Sequence, residues 1–130
     1  MTNLEVIEGL YRNFSAGNVA GVVDAMHEAV VWNEAENFPY ADRNPYVGPQ
    51  AVVEGVFMRC LGDYDDFAVT ISNLYDAGEH IIASGRYSGV NKATGKTMNP
   101  QLVHIWTLAD GKIVKFQQHV DTLAVHHAAR

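Results

Sequence analysis

Along this chain the spacing of apolar residues is helical at first, lapses, returns to helical and then becomes strictly alternating. Leu4, Ile7, Tyr11 and Phe14 lie three or four apart, with Glu5, Glu8 and Arg12 off that face, which predicts a short amphipathic helix. Gly17 is placed to end it in the left-handed region, and Asn18 to cap a second, shorter helix carrying Val19, Val22, Val23 and Met26. From His27 the composition turns β-rich and predicts a first strand through Val30, Val31 and Trp32. Residues 33–47 follow neither period. They read as a long loop whose Phe38, Tyr40 and Tyr46 need a surface to pack on, hence a lid or pocket wall. Gly48-Pro49 opens a third helix with Val52, Val53, Val56, Phe57 and Cys60 on its apolar face, and Gly62-Asp63 ends it.

From Asp66 the period is two. Phe67, Val69 and Ile71 alternate with Ala68, Thr70 and Ser72, and three long strands are predicted over 81–90, 99–108 and 112–121. Their turns are the stretches 76–79 and 91–96 and the pair Asp110-Gly111, the strongest hairpin signal present. Residues 123–130 read as a short helical or frayed end. The order predicts one α+β domain over 1–130, a curved antiparallel sheet with three helices on one face enclosing a conical cavity.

Composition narrows the function classes. A net charge of -6 with nine scattered Lys and Arg argues against nucleic-acid binding. No apolar run reaches the length of a membrane span, and the N-terminus lacks the pattern of a signal peptide, so a cytoplasmic protein is the expectation. A single cysteine, Cys60, forms no internal disulfide, which suits a reducing compartment. The six histidines show no metal-ligand spacing, and there is no phosphate loop or nucleophile motif; no metal and no cofactor are expected. What stands out is the chemistry spent on the late strands. His104 and Trp106 share one face of theirs, and the run from Phe116 to Thr122 adds Gln117, Gln118, His119 and Asp121. Polar groups on an otherwise apolar sheet suggest a ligand pocket.

Three stretches carry a family resemblance: Val31 to Glu36 running on to Pro39-Tyr40-Ala41; Gly48-Pro49-Gln50-Ala51-Val52 with Gly55-Val56-Phe57; and His104 to Leu108, Asp110 to Ile113 and Phe116 to Thr122. With the element order, they make the chain resemble the SnoaL-like, ketosteroid-isomerase-related branch of the nuclear transport factor 2-like superfamily. The resemblance implies a homodimer and a ligand that is either a small apolar molecule or a polyketide- or steroid-like one. It also implies a cofactor-independent isomerase or cyclase using a pocket carboxylate as general acid/base on a carbonyl compound; the alternative is a non-catalytic binding module with the same cone.

The family cyclases place their base on a late strand, where Asp121 is the best match, with His104 as its neighbour. Asp121 also stands where it would cap a tail helix, and both roles stay open. Ketosteroid isomerases place theirs after the first strand, where Glu34 and Glu36 lie, and an oxyanion-donating Tyr in the first helix, where Tyr11 lies. The catalytic candidates are Asp121, His104, Glu36 and Tyr40, and the ligand-binding candidates Trp32, Trp106, Gln118, Phe57 and Tyr11. Asp121 shares its strand face with Gln117 and His119 rather than with Gln118, so one pocket holding both Gln118 and Asp121 needs a bulge.

Overall fold

The chain puts its apolar alternation into a seven-stranded sheet and lays its helices across one face of it. The computed structural model describes all of residues 1–130. Helix α1 spans Asn3–Ser15 and starts at a capping box, in which the Thr2 hydroxyl accepts from the Glu5 N–H and the Glu5 carboxylate accepts from the Thr2 N–H. Helix α2 (Val19–Asp24) is capped by Asn18. Gly17, at φ 74°, makes the turn between them.

Strand β1 (Met26–Asn33) leads into a segment that buries Phe38, Tyr40 and Tyr46 in the core. Residues expected to form a structureless loop contain a 3₁₀ turn, Pro39–Arg43, and a two-residue strand, β2 (Tyr46–Val47), paired with β1. The third helix is divided into α3 (Pro49–Val52), a π-helical turn over Val53–Phe57 and α4 (Met58–Asp63). Widening the helix at that turn lets three consecutive residues, Gly55, Val56 and Phe57, all face inward. Gly55 is obligatory there, since a Cβ would stand 2.1 Å from the Tyr46 ring.

Strands β3 (Tyr64–Ala77), β4 (His80–Asn91), β6 (Gln101–Ala109) and β7 (Lys112–Val120) form the meander; β5 (Thr97–Met98) adds to β4. The order is β2-β1-β7-β6-β4-β3, antiparallel except where β1 lies parallel to β7. That junction adds β1 and β2 to the meander and sets Trp32 against Phe116. The tail is a regular helix, α5 (Thr122–Ala128). Two rows of inward residues cross the strands. Trp32, Phe116, Trp106 and Ile81 form one, and Gln118, His104 and Ala83 the other. No helix is long and apolar enough to cross a membrane.

Candidate active site in the aromatic cone

Between the helices and the concave face of the sheet lies a cavity of about 60 Å³ with a wall of mainly apolar side chains. Trp32 and Phe116 stack at 3.8 Å between ring centroids, and Trp106 and Phe57 meet Trp32 edge-on. The polar groups in this wall are few: Glu34, Gln118, His104, Tyr11, Tyr87, Tyr40 and the Cys60 thiol. Neither Lys nor Arg contributes to it.

Glu34 is the carboxylate of the cavity. It continues the inward parity of Val30 and Trp32 one step past the end of β1, and it is 2% exposed. Its Oε2 accepts from Trp32 Nε1–H at 3.3 Å, while Oε1 is buried without a protein partner. Its backbone is pinned by Asn44, which accepts from the Glu34 N–H at 3.0 Å and donates to its carbonyl at 2.8 Å. Burial pushes its pKa up to about 7, against the lowering effects of the Trp32 N–H and the Arg59 charge. A carboxyl group titrating near neutrality, with one free oxygen in an apolar cavity, has the properties that proton transfer to and from carbon requires.

Facing it is a hydrogen-bonded chain. The Ala35 N–H donates to Gln118 Oε1 (3.0 Å), and Gln118 Nε2–H donates to Tyr87 Oη (2.8 Å). Tyr87 Oη lies 2.7 Å from His104 Nε2, and Tyr11 Oη lies 2.6 Å from His104 Nδ1. Trp106 Nε1–H donates to Tyr11 Oη at 2.9 Å. Burial drives the His104 pKa down to about 3, so the imidazole is neutral, and burial raises the Tyr11 and Tyr87 phenols, which stay protonated.

Of the residues expected in the site, His104, Trp32, Trp106, Gln118, Phe57 and Tyr11 line the cavity. Three catalytic expectations are corrected. Asp121 is exposed beyond the end of β7, and its carboxylate accepts from the Ala124 N–H at 3.2 Å as the N-cap of α5. Glu36 is exposed, because β1 ends at Asn33 and the chain turns at Asn37 (φ 70°) before a second inward position is reached. Tyr40 lends its ring to the wall, but its hydroxyl donates to Asp63 Oδ2 at 2.8 Å and its face meets the Arg59 guanidinium, so it fastens the lid. Glu34, in whose place Glu36 is named, and Tyr87 are polar groups of the cavity that stand outside the sequence-based candidates. Parity along β4 from Ile81 and Ala83 reaches Tyr87 directly.

Asp121→Ala is expected to lower stability by about 1 kcal/mol through the lost cap while leaving ligand-dependent behaviour unchanged. Urea melts and the exchange assay described below check both halves. A rate loss above tenfold in the folded variant would return Asp121 to the chemistry.

Fold and cavity together define a pocket protein of the NTF2-like kind. The profile of the SnoaL-like domain matches residues 7–116, and the chain belongs to that family. An NTF2-like protein from Burkholderia thailandensis is 32% identical, covers 100% of this chain and 98% of its own, and superposes with a TM-score of 0.96. A candidate SnoaL-like polyketide cyclase from Jannaschia is 18% identical over 97% of this chain and 90% of its own (TM-score 0.81). IdmH, a candidate polyketide cyclase from Streptomyces antibioticus, is 16% identical over 99% of both chains (TM-score 0.84). Both share the fold. A search of curated protein sequences gives no match.

Proposed function

We propose that the cavity is the active site of a cofactor-independent isomerase- or cyclase-type enzyme acting on a small, neutral, largely apolar carbonyl compound. The observation that carries this is Glu34 Oε1, a buried carboxylate oxygen with no protein partner in an aromatic cavity. The free oxygen takes the proton from the carbon next to the carbonyl, the C–H electron pair becomes the enolate, and the Tyr11 hydroxyl donates to the enolate oxygen. Isomerisation then returns that proton from Glu34 to another carbon of the conjugated system. In cyclisation the enolate carbon instead attacks a second carbonyl of the same chain, and Glu34 protonates the resulting alkoxide. The cavity wall has no cation to meet an anionic ligand, which argues for a neutral one. Structural relatives named as polyketide cyclases support the same reaction class.

The test is proton exchange. Cyclic ketones of increasing size, up to 2-tetralone, are incubated with the protein in D₂O and followed by ¹H NMR. Catalysed loss of the α-proton signal is expected for at least one of them. Quenching of the Trp32 and Trp106 fluorescence without exchange would instead favour a binding module. In that case a carboxylate walled by aromatic rings suits a small alkylammonium ion, and trimethylammonium is the probe.

The homodimer belongs to the same proposal. On the sheet face away from the cavity, Ile82 and Ile105 are register partners with Val103 on the adjoining row, all half-buried in the single chain. Light scattering is expected to give twice the mass of the chain. A monomer at micromolar concentration would remove the dimer from the proposal.

A further inference from the structure

The donors and acceptors around His104 can be counted, because one of them is fixed by the backbone. Gln118 Oε1 must face the Ala35 N–H, so its amide nitrogen faces Tyr87 and Tyr87 Oη is an acceptor from Gln118. At the far end Tyr11 Oη is an acceptor from Trp106, since an indole nitrogen only donates. Between them the neutral imidazole has one N–H and one lone pair to distribute over Tyr87 at Nε2 and Tyr11 at Nδ1.

Suppose the proton sits on Nε2. His104 then donates to Tyr87, which accepts twice, and the Tyr87 hydroxyl proton has no acceptor in a residue only 6% exposed. A buried hydroxyl left unpaired is strongly disfavoured. With the proton on Nδ1, Tyr87 donates to Nε2 and His104 donates to Tyr11. Every group is then satisfied except the hydroxyl proton of Tyr11, a half-buried residue of the cavity wall. That proton is available to whatever enters. Two donors into Tyr11 Oη also polarise its O–H and strengthen what it gives to a ligand.

We propose that Tyr87, oriented by Gln118, holds His104 in its Nδ1–H tautomer, and that this relay directs the Tyr11 hydroxyl proton into the cavity as a hydrogen-bond donor to a ligand oxygen. Gln118, Tyr87 and His104 are positioning residues in this scheme, and Tyr11 is the group that touches the ligand. The tautomer follows from the hydrogen-bond count together with the deeper burial of Tyr87, since either tautomer leaves one phenol proton over and only that of the half-buried Tyr11 is placed to meet a ligand; the consequence for catalysis rests on the enolate reading above.

The experiment is a long-range ¹H–¹⁵N correlation spectrum of the full chain labelled at histidine, with the His104 signals assigned by their loss in His104→Gln. The wild type is expected to show Nδ1 as the protonated nitrogen and Nε2 as the lone-pair nitrogen. Gln118→Glu supplies the control. It keeps an oxygen for the Ala35 N–H, but its second oxygen, once ionised at alkaline pH, accepts the Tyr87 hydroxyl where the amide had donated. His104 must then donate from Nε2 and accept from Tyr11, so the tautomer is expected to reverse and α-proton exchange to fall at least tenfold as the Tyr11 proton turns away from the cavity. A wild-type Nε2–H tautomer or an imidazolium would overturn the proposal, as would an unchanged tautomer in folded Gln118→Glu at alkaline pH. If that variant does not fold, the wild-type spectrum decides by itself. The expected spectra without any exchange activity would uphold the relay and count against the catalytic reading, so the two fail separately.

Discussion

Glu34→Gln is expected to abolish α-proton exchange and, above neutral pH, to make the protein more stable. Loss of a positioned general base costs on the order of 10²–10⁴ in kcat. The variant keeps an amide oxygen for the Trp32 N–H, so the shape of the cavity is retained. The stability change follows from linkage. The folded-state pKa of Glu34 is raised to about 7 from an ordinary 4.5, so the folded chain holds a proton that the unfolded chain has released. Below the unfolded value the carboxyl is neutral in both states and no penalty exists. As pH climbs from there through 7, the folded state is left with a buried anion, and the cost grows to roughly 3 kcal/mol at about 1.4 kcal/mol per unit. Gln carries no such charge. Melting temperatures of variant and wild type should therefore diverge between pH 5 and 8, by several degrees in the variant's favour, less what its amide N–H loses unpaired. Over the same window wild-type kcat/KM should rise with a midpoint near 7, because only the ionised carboxylate accepts a proton. Exchange within threefold of wild type in Glu34→Gln, or a wild-type midpoint in the ordinary carboxylate range, would move the base elsewhere.

Glu34 and Asp121 also mark how far the sequence alone carries. The helices were legible because their caps and stripes are local; Gly17 and Asn18 each act within a turn of their own position. The meander was legible because a period of two survives over long strands, and Asp110-Gly111 marks its last turn. His104, Trp106 and Gln118 fall into the cavity by that same parity. Choosing between Glu34 and Glu36 required knowing where β1 stops, and the stop is set by Asn37 turning left-handed and by Asn44 reaching back to Glu34 from the far side of the lid. The choice between base and cap for Asp121 required knowing that β7 ends at Val120 and α5 begins at Thr122. Tyr87 gained its role only through partners on β6 and β7 that no local window contains. Parity along a strand is local, whereas the point at which a strand ends is decided by what packs against it.

Tyr11→Phe should act on the other half of the chemistry, and with the opposite effect on stability. Removing a donor to an enolate oxygen costs about 10²–10³ in kcat, and since the ring remains, KM should change little. The hydroxyl also accepts from Trp106 Nε1–H and lies 2.6 Å from His104 Nδ1, so two groups lose a partner at once. Both residues are buried, and unpaired donors there cost about 1–3 kcal/mol each, giving a net loss of roughly 2–4 kcal/mol once the surroundings relax. At pH 8 the two variants therefore separate: each is catalytically impaired, but Glu34→Gln melts above wild type and Tyr11→Phe below it. Loss of activity through general loosening cannot produce that pair, because it ties lower rates to lower stability. Exchange kinetics measured well below both melting temperatures test the point. If Tyr11→Phe keeps more than a third of the wild-type kcat, the enolate is stabilised without Tyr11, and the Tyr87–His104 chain serves only to satisfy buried polar groups.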